Sequence, residues 1–194
     1  ERRGSLRGDV NGIAERQPVY RCALRLAHII LADYGVDLSR AGDDVSLSSF
    51  LLDLETTFER YVRNVLARRL DGYEVMDGMK EGSKPLYDDR PEPRASPDVV
   101  IRGPDGGVLI AEVKYKSSEK RDDIDQVLAY ALSYRAPVVL LVLPAQSSGD
   151  RGVSHVGIVD GVRVLRFRFD LSADDLNSSE ADLVACVASL LVPQ

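Results

Sequence analysis

Apolar positions recur at helical spacing through PVYRCALRLAHIILADY, residues 18–34, with Pro18 at the start and Gly35 just past the end. The apolar residues cover most of the circumference, which predicts a well-buried helix. A polar connection, 36–48, leads to FLLDLETTFERYVRNVLARRL, where apolar residues at 51, 54, 58, 62, 65 and 66 predict a second helix over about 49–70. Gly72, Gly78, Gly82, Pro85, Pro91 and Pro93 punctuate the next stretch, read as a short strand near 73–76 and then a long loop to 95. Residues 97–116 have the pattern of an apolar β-hairpin, and DDIDQVLAYALSYR, 122–135, that of a helix with acidic residues at its N-terminus. VVLLVLP, 138–144, is a continuous apolar run bounded by Pro137 and Pro144, as a strand inside a sheet requires. GVSHVGIV and VRVLRFRF alternate around Asp160-Gly161, a favoured two-residue hairpin turn. The chain ends in a helical stripe, ADDLNSSEADLVACVASLL, behind a Ser-x-x-Asp-like start.

At 194 residues and 44% hydrophobic content, the chain can bury one real core, with a helical appendage. No apolar run reaches the roughly 18 residues of a membrane span, and the start lacks the pattern of a signal peptide, so a cytoplasmic location is expected. The opening ERRGSLRG, without an initiator Met, reads as a trimmed chain or as part of a longer polypeptide. Cys22 and Cys186 are too few and too distant for a metal site or a disulfide framework. A net charge of −6 argues against gripping nucleic acid over the whole surface, while leaving room for local basic groups. Arg60, Arg63, Arg68 and Arg69 make one such group, equally well read as a solvated helix face, and Lys114, Lys116, Lys120 and Arg121 make another.

Charges inside the hairpin SPDVVIRGPDGGVLIAEVKYK change the picture. If Gly103–Gly107 form the loop, Arg102 faces Val108 and Asp98 faces Glu112, with Lys114 two residues on. Directly opposed residues share a face with Cβ atoms about 4.5–5.5 Å apart, so two carboxylates stand side by side among Val100 and Ile110. Repulsion and desolvation both disfavour such a pair unless it is protonated, paired with Lys, or neutralised by a cation. Hard oxygen ligands suit Mg²⁺ or Mn²⁺, and a neighbouring lysine can stabilise negative charge, which together describe a phosphodiester-hydrolysing site. The alternative is a solvent-facing hairpin with ordinary surface ion pairs, which the apolar pair on the same face opposes.

These residues resemble the PD-(D/E)XK nuclease superfamily, with Pro97-Asp98 as the first half-motif and Glu112-Val113-Lys114 as the second. Gln126 and Tyr130 in QVLAY look like its Gln-x-x-x-Tyr element, and FERYV places Glu59 on the preceding helix. FLLDLETTFERYV, PDVVI, AEVKYK and DQVLAYA together are similar to the nuclease domains of McrC-type subunits of McrBC-type modification-dependent restriction systems. The likeness extends weakly to PVYRCALRLAHIIL and fades beyond 143. It implies an α/β, restriction-endonuclease-like fold, a mixed central sheet flanked by helices, with a helical or linker region at 1–48 packed on a nuclease domain at 49–194. It further implies a metal-dependent endodeoxyribonuclease in which Asp98 and Glu112 bind Mg²⁺ (or Mn²⁺) and Lys114 is the catalytic lysine. Glu59 would sit near the metal or its water, with Gln126 and Tyr130 on the substrate side. McrC-like sequences more commonly have Asp where this chain has Glu112, a longer carboxylate that alters metal geometry. The implied partners are double-stranded, modified DNA and an McrB-like AAA+ GTPase that delivers it, with homodimerisation one route to double-strand cleavage.

The residues themselves test these additions. At 100° per residue, Glu55 and Glu59 project to one side of their helix near Leu51, Val62 and Leu66, so either can reach a buried site or form a boundary ion pair. Gln126, Tyr130 and Tyr134 share a face distinct from Ile124, Leu128 and Ala131, an arrangement that suits packing as well as chemistry. Lys116 follows Lys114 and can contact DNA phosphate or simply sit exposed at a strand end. His28 and His155 have no partner motif and read as structural, and no nucleotide-binding signature is present. Two other functions remain open: a non-catalytic adaptor of the same fold that binds a motor subunit or DNA, and a stand-alone repair or defence nuclease.

Overall fold

In the computed structural model, residues 53–172 and 175–191 are described. The chain comprises two compact units, Glu1–Thr57 and Phe58–Gln194. The helix predicted over 18–34, its linker, Cys22, His28 and the expected boundary after residue 48 lie outside the described residues.

Helix α1 spans Leu54–Arg69. It starts later than the expected 49 because Asp53 caps it: one carboxylate oxygen accepts from the Glu55 and Thr56 amides at 3.1 and 3.2 Å, the other from the Thr56 hydroxyl at 2.8 Å. In the second unit its apolar stripe, Phe58, Tyr61, Val62, Val65 and Leu66, is buried at helical spacing.

Six strands form one mixed sheet in the order β1-β4-β5-β6-β8-β7. These are β1 (Glu74–Asp77), β4 (Val99–Arg102), β5 (Val108–Val113), β6 (Val138–Pro144), β7 (Gly152–Val159) and β8 (Val162–Phe169). A separate two-stranded ribbon, β2 (Lys84–Pro85) with β3 (Arg94–Ala95), lies within what reads in the sequence as a long loop. β1 pairs with β4, β4 with β5 and β7 with β8 antiparallel, whereas β5, β6 and β8 are mutually parallel. Parallel pairing of β5 with β6 requires a crossover, which α2 (Arg121–Tyr134) provides.

Helix α2 packs on the sheet through Val127, Ala131 and Tyr134, which join Val100, Ile110, Val139, Leu141, Leu143 and Val164 in one core. Tyr134 is therefore a core residue, with Tyr130 packed partly buried against the same core, the packing role its stripe allows; the Tyr134 hydroxyl donates to the carbonyls of Gly82 and Ala95. This contact fastens the ribbon to α2. Residues of opposite parity, Phe167 and Phe169 among them, face the other side of the sheet, where Phe169 meets Phe58 and Tyr61 of α1 edge-on at 6.2 and 5.6 Å. Helix α3 (Leu176–Leu190) joins that layer: its Glu180 accepts from the Tyr61 hydroxyl at 2.8 Å and pairs with Arg69 at 2.7 Å. It is capped by Asp175, whose carboxylate accepts from the Asn177 amide at 2.9 Å, while the Ser172 amide and hydroxyl donate to Asp170. The β7–β8 turn follows the prediction, with φ of 48° at Asp160 and 81° at Gly161 matching the local twist of paired strands. His155 lies on the expected hairpin strand, β7, and is exposed there. Cys186 is a free thiol pushed up to about 11 by burial. Among the described residues no helix is long and apolar enough to cross a membrane.

Candidate active site

The β4–β5 hairpin has the register its charges suggested: Arg102 pairs with Val108 and Val100 with Ile110. Continuing that ladder by two residues sets Asp98 opposite Glu112. Both are inside the protein, Asp98 at 9% and Glu112 at 2% exposure, on the face that α2 covers. The Asp98 Oδ2 accepts from the Val113 amide at 2.7 Å, and the Asp98 amide lies 3.4 Å from Glu112 Oε2. Lys114 Nζ stands 3.0 Å from Glu112 Oε1. Burial pushes the Glu112 carboxyl above the ordinary glutamate range, against the pull of Lys114 and the Asp98 amide.

Two helices reach this strand end from opposite faces of the sheet. From α1 comes Glu59, whose carboxyl is raised by burial and by the charges of Asp98 and Asp77, and lowered by Arg63 and Lys114. From α2 come Gln126 and Tyr130, joined by a 3.0 Å hydrogen bond from the amide Nε2 to the phenol oxygen. Burial raises the Tyr130 hydroxyl, the Gln126 bond lowers it, and the charges on Glu112 and Asp98 raise it further, so this phenol senses both carboxylates. The structure thus brings Asp98, Glu112, Lys114, Glu59, Gln126 and Tyr130 to one strand end.

Lys116 is placed differently. Its Nζ pairs with Asp123 at 2.5 Å, and Asp123 also accepts from the Lys120 amide at 2.6 Å, closing the first turn of α2. Both interactions hold Asp123 below the ordinary aspartate range although burial opposes them. Two other residues escaped the sequence reading. Arg63, grouped there with surface arginines, reaches Asp77 at 3.1 Å and both Glu59 and the Asp98 carbonyl at 3.5 Å. Arg168, 7% exposed, donates to the carbonyls of Ser117 and Pro144 and so ties down the loop that follows Lys114. No periodic signal marks either one; only the alternation of charge with apolar residues in VRVLRFRF hints at the second.

Among the described residues, no group of three or more His, Cys, Asp or Glu side chains could hold a metal ion by itself. The donor set nevertheless fits Mg²⁺, which keeps several waters and takes only one or two carboxylates beside substrate phosphate. Asp98 and Glu112 supply those two; Lys114 compensates one oxygen of the buried Glu112, and a divalent cation would add to that where the two carboxylates meet.

The mixed sheet, its flanking helices and the carboxylate and lysine end of the hairpin define an α/β protein of the restriction-endonuclease-like class. A family model described as McrBC 5-methylcytosine restriction system component matches residues 14–144, and the chain belongs to that family. No curated protein matches the chain. Among solved structures, it is similar to a chain in a half-complex refined from the tetradecameric assembly of Thermococcus gammatolerans McrB AAA+ hexamers with bound McrC. That similarity has a TM-score of 0.56 at 17% identity, covering 74% of this chain and 34% of the other. The polypeptide thus spans about a third of the length of the chain it matches.

Proposed function

We propose that this chain is the nuclease part of a modification-dependent restriction system, a Mg²⁺-dependent (or Mn²⁺-dependent) endodeoxyribonuclease. The observation that carries the reading is the buried Asp98 and Glu112 pair with Lys114 Nζ 3.0 Å from Glu112. Intact side chains at all three positions favour catalysis over an adaptor role.

Asp98 and Glu112 would hold the cation, which when bound supplies a more acidic water and Lewis-acid stabilisation of a phosphoryl oxygen. The remaining work falls to the protein. The Val113 amide fixes the Asp98 carboxylate, and Lys114 orients Glu112 while its ammonium faces the charge that builds on the scissile phosphate. Glu59, with proton affinity above that of an ordinary glutamate, is suited to accept the proton of the attacking water. The Gln126 and Tyr130 pair offers hydrogen bonds to the substrate side. Lys116, partly exposed and paired with Asp123, keeps further ammonium hydrogens with which to donate to a phosphate.

Family membership supports double-stranded, modified DNA as the substrate and an McrB-like AAA+ GTPase as the delivering partner, with two copies of the nuclease cutting opposite strands. Plasmid cleavage with Mg²⁺, with and without the GTPase and GTP, against a Lys114→Ala control, tests the reading. Cleavage that requires the partner and disappears in Lys114→Ala is expected; wild-type rates from Lys114→Ala would refute the assignment.

A further inference from the structure

Arg63 has a conspicuous position for a residue that the proposed chemistry does not use. Its guanidinium sits between α1, the end of β1 and the first residue before β4. Nη2 is 3.1 Å from Asp77 Oδ2, and Nη1 is 3.5 Å from both Glu59 Oε1 and the carbonyl oxygen of Asp98. The side chain is 16% exposed, and its guanidinium is engaged with these protein groups. Asp77 is held in turn: its second oxygen accepts from the Met79 amide at 3.0 Å, and its carbonyl accepts from the Lys80, Glu81 and Gly82 amides at 2.9–3.1 Å. Asp77 is therefore a fixed anchor, and its contact with Arg63 is the shortest of the three.

Resting on the nuclease reading, we propose that Arg63, clamped by Asp77, is a positioning residue that sets where the Glu59 carboxylate and the Pro97-Asp98 backbone stand relative to the reacting phosphate. A planar guanidinium can direct one nitrogen to Asp77 and another to Glu59 and the Asp98 carbonyl. A lysine ammonium, a point charge on a flexible stem, cannot span both sides at once. The two 3.5 Å contacts are longer than ordinary hydrogen bonds and leave room to tighten when substrate closes the site. Arg63 connects the helix that carries one candidate residue to the strand that carries another, so its loss displaces both without removing either.

Cleavage by the full chain with its GTPase, DNA and Mg²⁺ tests this. Displacing groups by an ångström costs about 10²-fold, so Arg63→Ala is expected to lower kcat by roughly that factor with KM for DNA nearly unchanged. Arg63→Lys should recover little, whereas added methylguanidinium should restore part of kcat in Arg63→Ala. Asp77→Asn should cause a similar loss and add nothing to Arg63→Ala. A wild-type kcat, a loss confined to KM, or additive losses in the double variant would overturn the proposal. Amide resonances of the chain alone provide a readout independent of cleavage. Arg63→Ala should move the Asp98 and Val113 amides, while Arg60→Ala at an exposed position should not; unmoved amides in Arg63→Ala also overturn it. If the wild type does not cleave at all, it is the nuclease reading that fails, and the amide shifts decide the role of Arg63.

Discussion

Replacing Gly78 by Ala should damage the site although Gly78 carries no functional group. A Cβ built at this position would lie 1.9 Å from the Pro97 carbonyl oxygen, 2.8 Å from its carbon and 3.0 Å from the proline ring. Real Cβ atoms essentially never approach below 3.0 Å, so the two backbones must part by about 1.1 Å. The obstacle is main chain, not a side-chain tip that can swing aside, and the next residue is Asp98. Its amide is already 3.4 Å from Glu112 Oε2, so a shift of this size breaks that contact and strains the 2.7 Å bond from the Val113 amide. Forcing a methyl into a packed site costs about 1–3 kcal/mol, and weakening a hydrogen bond to a charged group adds about 1 kcal/mol. About 3 kcal/mol in total corresponds to a fall in Tm of roughly 6–12 °C for a chain of this size. Thermal unfolding followed by circular dichroism measures it, with Gly149→Ala as the control because nothing lies within 4 Å of a Cβ there. Cleavage should fall by about 10²-fold in parallel, as expected for a displaced carboxylate. If Gly78→Ala and Gly149→Ala melt together and Gly78→Ala cleaves at full rate, the tight packing of this turn behind Asp98 is not what places the carboxylate.

Two further substitutions probe the same region. Burial raises the Glu112 carboxyl in the folded protein, so the unfolded chain releases that proton at a lower pH, and the metal-free protein loses stability as pH rises from about 4.3 through the raised value. Glu112→Gln should flatten this part of a Tm-against-pH curve recorded in chelator and melt higher than wild type at pH 8; a parallel curve refutes the buried-charge account. Tyr134→Phe removes the hydroxyl that donates to the Gly82 and Ala95 carbonyls, at a cost of about 1–3 kcal/mol, and should speed proteolysis within 78–95. Unchanged denaturant midpoint and cleavage pattern would mean that another contact holds the ribbon.

Short-range signals carried much of the fold. The β4–β5 register rested on one assumption, that Gly103–Gly107 form the loop, and the pairing of Arg102 with Val108 bears it out. Asp160-Gly161 marked its turn for an equally local reason, the positive φ that both residues tolerate. The β2–β3 ribbon was hidden because two residue pairs carry no period, and Tyr134, about 40 residues or more from either carbonyl it meets, holds the segment. Tyr134 shares a helix face with Gln126 and Tyr130, a stripe that suits packing as well as chemistry, and the buried carbonyls its hydroxyl meets decide for packing. At the site, the residues on the hairpin and on α2 could be read from the chain, whereas Arg63 and Asp77 meet only through the tertiary arrangement of α1 and β1.

Burial of both faces of the β4–β5 hairpin also bears on how faithfully it folds. In a half-exposed sheet, slipping a strand by one residue turns its apolar set toward water, and solvent itself rejects the error. Here Val99, Val100 and Ile101 oppose Leu109, Ile110 and Ala111, with apolar surroundings above and below, so a slipped pairing would still bury hydrocarbon. What such a slip cannot hide is Glu112, which would be turned with Lys114 toward the aromatic layer of Phe167 and Phe169, away from the Asp98 amide. The charges that equip the hairpin for chemistry therefore also proofread its assembly, because only the correctly aligned molecule sets the Glu112 and Lys114 pair against Asp98 on a face away from the aromatic layer.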